Sequence, residues 1–222
     1  MSNNIHAIYE DIKSSIINLA LVPGTKIKEE DLAKKYNISR TPIRGIITRL
    51  VNEGLVEVAP KKGTYVSRFD LSHIHNFIYV RKAVEITTLQ KVINTISDEQ
   101  IKELEDILLR QKEIVNMEPS IEKSRLFFHN DNLFHATIFK FAQLEGVWSI
   151  IHTNAILLNR ARIMANLRSN PEVEGVYDYH LQMLKHIKNK DEKELIKVFE
   201  EHIDKGFSGI DHLVNKYNEY FK

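Results

Sequence analysis

"ISRTPIRGIITRLVNEG", residues 38–54, reads as one short amphipathic helix. Ser39 or Thr41 can cap its start, and Pro42 falls in the first turn, where a missing N–H does no harm. Ile43, Ile46, Ile47 and Leu50 recur at i, i+3, i+4 and i+7, the pattern of a single buried stripe. Arg40, Arg44 and Thr48 follow at four-residue spacing on a different, exposed face. A helix of this kind suits the major groove of DNA, where a guanidinium can bind guanine through two atoms. A solvated charged helix is the plainer reading, so the flanking segments matter.

Upstream, residues 4–20 read as a helix with Ile5, Ile8, Ile12, Ile16 and Leu19 on one face, broken by the Pro-Gly of "VPGTKI". "KEEDLAKKYN" follows as a short helix with acids early and lysines late, as the helix dipole favours. Downstream, "LVEVAP" and "TYVSRF" are β-type runs on either side of "KKG", a hairpin with lysines at its tip. Three helices and a basic hairpin make the layout of a winged helix-turn-helix, in which the third helix enters the groove. Charge agrees. Between Lys26 and Arg68 there are ten basic residues against five acidic ones, although the whole chain carries only +1.

Residues 23–66, "PGTKIKEEDLAKKYNISRTPIRGIITRLVNEGLVEVAPKKGTYV", resemble the DNA-binding domain of the GntR family of bacterial transcription regulators. The shared pattern is PG-x-x-(L/I)-x-E-x-x-LA, then S-R-(T/S)-P-(V/I)-R, then L-x-x-(E/D)-G-(L/W)-(V/L). The resemblance implies that Arg40, Thr41 and Arg44 face DNA, with Thr48 on the same face. It places Arg49 near the backbone and the Lys61-Lys62-Gly63 wing tip near the minor groove or phosphates. Arg44 is the candidate for base contact; Arg49, Lys61 and Lys62 are candidates for phosphate. One residue departs from the family: Gly45 stands where glutamate is usual.

The 222 residues hold 43% apolar side chains, enough for a core, and no cysteine, which excludes disulfides and thiolate sites. The first residues lack the basic start and apolar run of a secretory signal, and no stretch approaches the roughly 18 apolar residues of a membrane helix. A cytoplasmic, soluble protein without a membrane partner is expected.

From Leu71 onward the pattern is helical throughout. Helices are expected at about 72–94, 98–116, 120–142, 146–168, 172–189 and 191–220, with Ser97 and Gln100 forming a capping box. The expected fold is therefore mainly α: a winged helix-turn-helix over 1–70, then an all-α bundle of about six helices over 71–222.

Within that bundle "DNLFHATIFKF", residues 131–141, puts Asp131 and His135 inside an apolar stripe with Phe128, Ile138 and Ala142. His180 lies in the stripe Val173, Val176, Leu184, Ile187, and His202 in the stripe Leu195, Val198, Phe199, Gly206. An unpaired buried carboxylate costs several kcal/mol, so these groups need partners. The economical solution is a shared divalent cation such as Zn²⁺, with three imidazole nitrogens and one carboxylate oxygen as ligands. A lone inward histidine is ordinarily just a satisfied core residue, and a hydrogen-bonded polar core is the plain alternative. The other histidines show no comparable placement.

This segment is similar to the FCD effector-binding domain of the FadR subfamily of GntR regulators. The matching residues are Arg81 and Glu85, the Asp131–His135 run, His180 and His202. The resemblance implies a metal, zinc or nickel, held by Asp131, His135, His180 and His202, closing a pocket for a small organic acid. Arg81 shares the stripe of Ile74, Phe77, Ile78 and Glu85; it reads either as an intrahelical partner of Glu85 or as a clamp on an effector carboxylate. Asn154 and Arg162 are weaker pocket candidates. The expectation is a homodimeric regulator, not an enzyme, that binds an inverted-repeat DNA operator. The rivals are a regulator whose metal is only structural and, less favoured, a zinc hydrolase.

Overall fold

The expected amphipathic segments fold as helices in the structure, a computed structural model that describes residues 2–169 and 172–222. The first three are α1 (Ser2–Ile17), α2 (Glu29–Tyr36) and α3 (Arg40–Asn52). On α1 the stripe buries Ile8, Ile12 and Ile16 together with Tyr9, and on α3 it buries Ile43, Ile46, Ile47 and Leu50. Leu19 is not the end of the α1 stripe; it lies past the helix with φ 61. Ser39 occupies the cap position of α3 with extended backbone but makes no side-chain cap bond, and Thr41 lies within the helix. The helix stops at Gly54, whose φ of 72 suits a residue without Cβ.

Three short strands follow the pattern of the wing. β1 (Lys26–Ile27), β2 (Val56–Ala59) and β3 (Gly63–Val66) form an antiparallel sheet in the order β1-β3-β2. Val56 pairs with Val66 and Ala59 with Gly63, so the hairpin loop is Pro60-Lys61-Lys62. The Lys62 N–H donates to the Ala59 carbonyl at 3.0 Å, and Lys61 takes φ 61.

The chain then enters the bundle: α4 (Leu71–Ile93), α5 (Asp98–Val115), α6 (Ile121–Phe141), α7 (Glu145–Asn154), α8 (Ile156–Ser169), α9 (Glu172–Lys188), α10 (Glu192–Phe207) and α11 (Gly209–Lys216). Ser97 and Gln100 form the reciprocal capping box on α5, while Ser120 caps α6 and Asp191 caps α10. Two expected helices are each broken. The run 146–168 divides at Ala155, whose N–H donates to His152 three residues back at 3.1 Å. The run 191–220 divides at Ser208, where Gly206, Ser208 and Gly209 are poor helix formers, and ends in a 3₁₀ turn, Asn218–Tyr220. α9 packs along α10 and α5, and α5 along α6, around Leu104, Phe127, Phe134, Met183, Leu195 and Phe199. Among the described residues, no helix is long and apolar enough to cross a membrane.

The chain divides into two compact units, and the first contains both ends: residues 1–71 with Val214–Lys222. Phe69 and Phe221 form a parallel bridge, with the Phe69 N–H donating to Tyr220 at 2.8 Å and the Lys222 N–H to Phe69 at 2.9 Å. Their rings lie 5.2 Å apart, and Lys222 pairs with Glu57 of β2 at 3.0 Å. The second unit, 72–213, is the helical bundle.

Candidate metal centre and nucleic-acid face

Three helices of the bundle bring four polar side chains to one point. Asp131 and His135 are one turn apart on α6, His180 is on α9 and His202 on α10, and none is more than 2% exposed. One ligand atom from each lies within 4.8 Å of all the others. His135 Nε2 and His202 Nε2 are 3.1 Å apart. Asp131 Oδ1 lies 3.5 Å from His180 Nε2 and 3.9 Å from His135 Nε2.

The far side of each imidazole decides which nitrogen keeps its lone pair. His135 Nδ1 lies 2.7 Å from Glu85 Oε2, and Glu85 also accepts from the buried Arg81. His180 Nδ1 lies 2.8 Å from Gln111 Oε1. Both nitrogens must donate outward, because both partners are oxygen acceptors, which leaves Nε2 of each ring a bare acceptor facing inward. Asp131 Oδ1 and His180 Nε2 have no hydrogen-bond partner in this arrangement. His202 Nε2, 3.1 Å from His135 Nε2, can donate to it in one tautomer, whereas Asp131 Oδ1 and His180 Nε2 are two acceptors 3.5 Å apart that repel one another unless a cation lies between them. Ligand atoms about 2.0–2.2 Å from one zinc-like ion fall roughly 3–4 Å from each other, the range of the 3.1, 3.5 and 3.9 Å separations here.

Charge agrees with this geometry. Burial opposes ionisation of Asp131, but Arg162 and the three histidines outweigh it and hold the carboxyl well below its usual range. Burial likewise opposes ionisation of Glu85, yet Arg81 and His135 bring it to about 2. Burial drives His180 down to about 3 and His202 well below its ordinary value, so both are neutral, as ligands must be.

Arg81 and Arg162, read as candidate effector contacts, are placed as partners of carboxylates. Arg81 bonds Glu85, and Arg162 Nη1 donates to Asp131 Oδ2 at 3.0 Å. The Asn154 side chain lies outside the described residues. Sequence reasoning missed Gln111, although the signal was present: a fully buried amide in the apolar stripe of Leu104, Ile107 and Leu108. It also read Glu85 only as the partner of Arg81, whereas Glu85 joins Arg81 to His135. Among the remaining histidines, His6, His73, His75, His129 and His152 are exposed and His186 is half-buried.

On the first unit, α3 presents Arg40, Thr41, Arg44 and Thr48 to solvent. Arg44 grips Glu29 through two bonds, 3.2 and 3.0 Å, and Arg40 pairs with Glu30 at 2.5 Å. Exposed pairs of this kind contribute ~1 kcal/mol or less and exchange readily for another anion. The Thr48 hydroxyl donates to the Arg44 carbonyl at 2.9 Å. Arg49 faces elsewhere: its guanidinium stacks on the Tyr9 ring at 3.6 Å and bonds Glu53 at 3.3 Å. Lys61 and Lys62 are exposed at the wing tip, and Gly63, at φ +132, leaves room for Lys26, which would lie 2.9 Å from any Cβ there.

Gly45 is exposed, and nothing lies within 4 Å of where its Cβ would be. Gly45→Ala is therefore expected to stabilise the protein by roughly 1 kcal/mol, the helix-interior difference between the two residues. A rise in the chemical denaturation midpoint of the unit's transition would record it; an unchanged or lower midpoint would refute the open-space reading.

A winged helix-turn-helix joined to a helical bundle is the layout of a DNA-binding regulator. The sequence matches the family described as bacterial regulatory proteins, gntR family, over residues 4–66, and the FCD domain over residues 77–205. It is 23% identical over 216 residues to the HTH-type transcriptional repressor RspR of Escherichia coli (strain K12), covering 96% of this chain and 92% of that protein. An uncharacterized HTH-type transcriptional regulator in an unstable DNA locus of Streptomyces ambofaciens is 32% identical over 160 residues, 72% of this chain and 65% of that protein. The solved structure of E. coli McbR/YncC shares the fold at a TM-score of 0.67 and 19% identity, covering 97% of this chain and 99% of that one. The chain belongs to the GntR family of bacterial transcription regulators, and its helical unit is an FCD effector domain.

Proposed function

We propose that this protein is a cytoplasmic, homodimeric regulator of the FadR subfamily that binds an inverted-repeat operator and responds to a small organic acid. Asp131, His135, His180 and His202 would hold zinc or nickel, and the observation that carries this is their buried convergence, with Asp131 Oδ1 and His180 Nε2 facing each other as acceptors without a donor. The bound metal would supply a Lewis acid to which a carboxylate can coordinate. Charge supports an anionic effector. Asp131 and Glu85 are already matched by Arg162 and Arg81, so a divalent cation adds two uncompensated charges to a buried site. A bound carboxylate offsets one of those charges, and a dicarboxylate both. No catalytic role is assigned.

On the DNA side, residues 1–70 would supply the operator contacts and 71–222 the sensing and dimerisation. Arg44 would exchange Glu29 for a guanine edge, Arg40, Thr41 and Thr48 would flank it, and Lys61, Lys62 and Gly63 would approach phosphate. The left-handed conformation of Lys61 disfavours any residue but glycine, asparagine or aspartate, so a lysine there supports a role for its charge. Arg49, tied to Tyr9 and Glu53, would contact phosphate from the side.

The test is a panel of small organic acids added to metal-loaded protein. The effector is expected to raise the unfolding midpoint by an amount corresponding to about 2.7 kcal/mol at a hundred times its dissociation constant, and to change DNA affinity. If every acid leaves both quantities unchanged, the metal is structural only and the sensing role falls.

A further inference from the structure

Arg162 occupies a seat built from several elements. Its Nη1 reaches Asp131 Oδ2 at 3.0 Å, on the carboxylate oxygen that is not among the imidazoles. The guanidinium lies over the Phe128 ring at 4.2 Å and beside the Phe207 ring at 5.2 Å. At Gly206 a Cβ would come within 3.3 Å of Nη2, so the glycine leaves the arginine its space. The side chain is 3% exposed, which keeps a full positive charge deep in the bundle.

We infer that Arg162 is a resident countercation that positions Asp131 and holds down the affinity of the centre for divalent metal, rather than a clamp for the incoming acid. The inference rests on the reading of Asp131, His135, His180 and His202 as a metal site. Two effects oppose each other. A partner that fixes a metal ligand strengthens binding by roughly 10–100-fold. A buried guanidinium one carboxylate away from a divalent ion repels it with twice the energy of two single charges. Even at an effective dielectric constant of about 20, that repulsion amounts to a thousandfold or more, so repulsion wins. Before metal arrives, Asp131 is already neutralised, and its burial is tolerated without the ion. The result is a site that can be filled and emptied while the fold persists.

The experiment separates charge from hydrogen bonding. Arg162→Gln keeps an N–H donor and removes the charge; Arg162→Lys keeps the charge and loses the planar fork. Dissociation constants for Zn²⁺ and Co²⁺ would be measured by competition with a chromophoric chelator at fixed pH and ionic strength, with circular dichroism as the check on fold. Arg162→Gln is expected to bind at least about tenfold tighter than wild type, and Arg162→Lys within about threefold of it. Arg162→Met carries the same expectation as the glutamine variant should that one fail to fold. A wild type that binds metal while the charge-free variants bind no tighter overturns the inference alone. Metal binding by neither wild type nor variants overturns the metal reading as well. Binding by a charge-free variant only is the inference in its strongest form.

Discussion

His180→Ala is expected to yield folded protein that has lost its divalent ion, against about one ion per chain in wild type. His180 Nε2 faces Asp131 Oδ1 at 3.5 Å, while the other ring nitrogen is fixed by Gln111. Loss of an outer partner of a ligand costs roughly 10–100-fold in metal affinity, and loss of the ligand itself should exceed that. The variant also forfeits the stacking of the imidazole on Phe134, whose centroid lies 4.4 Å away, so some loss of stability accompanies it. His186→Ala, on the same helix but half-buried and paired with Asp191, is the control and should keep its metal. Elemental analysis of both purified proteins decides the matter. Full metal content in His180→Ala would dismiss the four-residue site; absence of metal from wild type even after addition of Zn²⁺ or Ni²⁺ would leave a hydrogen-bonded polar core.

The second large effect is on DNA. Arg44→Ala should lower affinity for the operator by roughly 5–150-fold, the equivalent of the 1–3 kcal/mol carried by a good two-atom base contact. Arg44 already presents both of its donor edges together, because Glu29 holds Nε and Nη2 in the paired arrangement that a guanine edge would take over. Its side chain is 71% exposed, so little of the fold depends on it. DNA recovered by selection from a random library supplies the probe, and fluorescence anisotropy at a stated salt concentration the readout. Arg125→Ala, which breaks an exposed pair with Glu122 on the bundle, should leave binding unchanged. Equal operator affinity for Arg44→Ala and wild type would mean that α3 has been wrongly taken as the recognition helix.

Much of this architecture could be read from the sequence because it is written in periodicity. Buried isoleucines at helical spacing define α3, and capping residues mark where α5 begins. The polar groups now found together stood out for the same reason: Asp131, His135, His180 and His202 interrupt stripes that are otherwise apolar. The breaks at Ala155 and Ser208 did not stand out, because the apolar pattern continues through both and a helix pays only locally for a change of direction. Leu19 misled for a related reason, since its spacing fits the stripe although the backbone has already turned. The bond of Glu85 to His135 required three dimensions, because the two lie on different helices, whereas Gln111 interrupts the stripe of Leu104, Ile107 and Leu108 as the histidines interrupt theirs. The bridge between Phe69 and Phe221 is made by main-chain groups 152 positions apart, and such bonds leave no mark on residue choice.

That bridge alters the topology of the whole chain. The helical bundle is spliced into the DNA-binding unit, entered near Leu71 and left near Leu213, rather than hung from its end. A fragment cut at residue 70 would strip Phe69 of its cover and Glu57 of its lysine, so a faithful DNA-binding piece has to carry residues 214–222 as well.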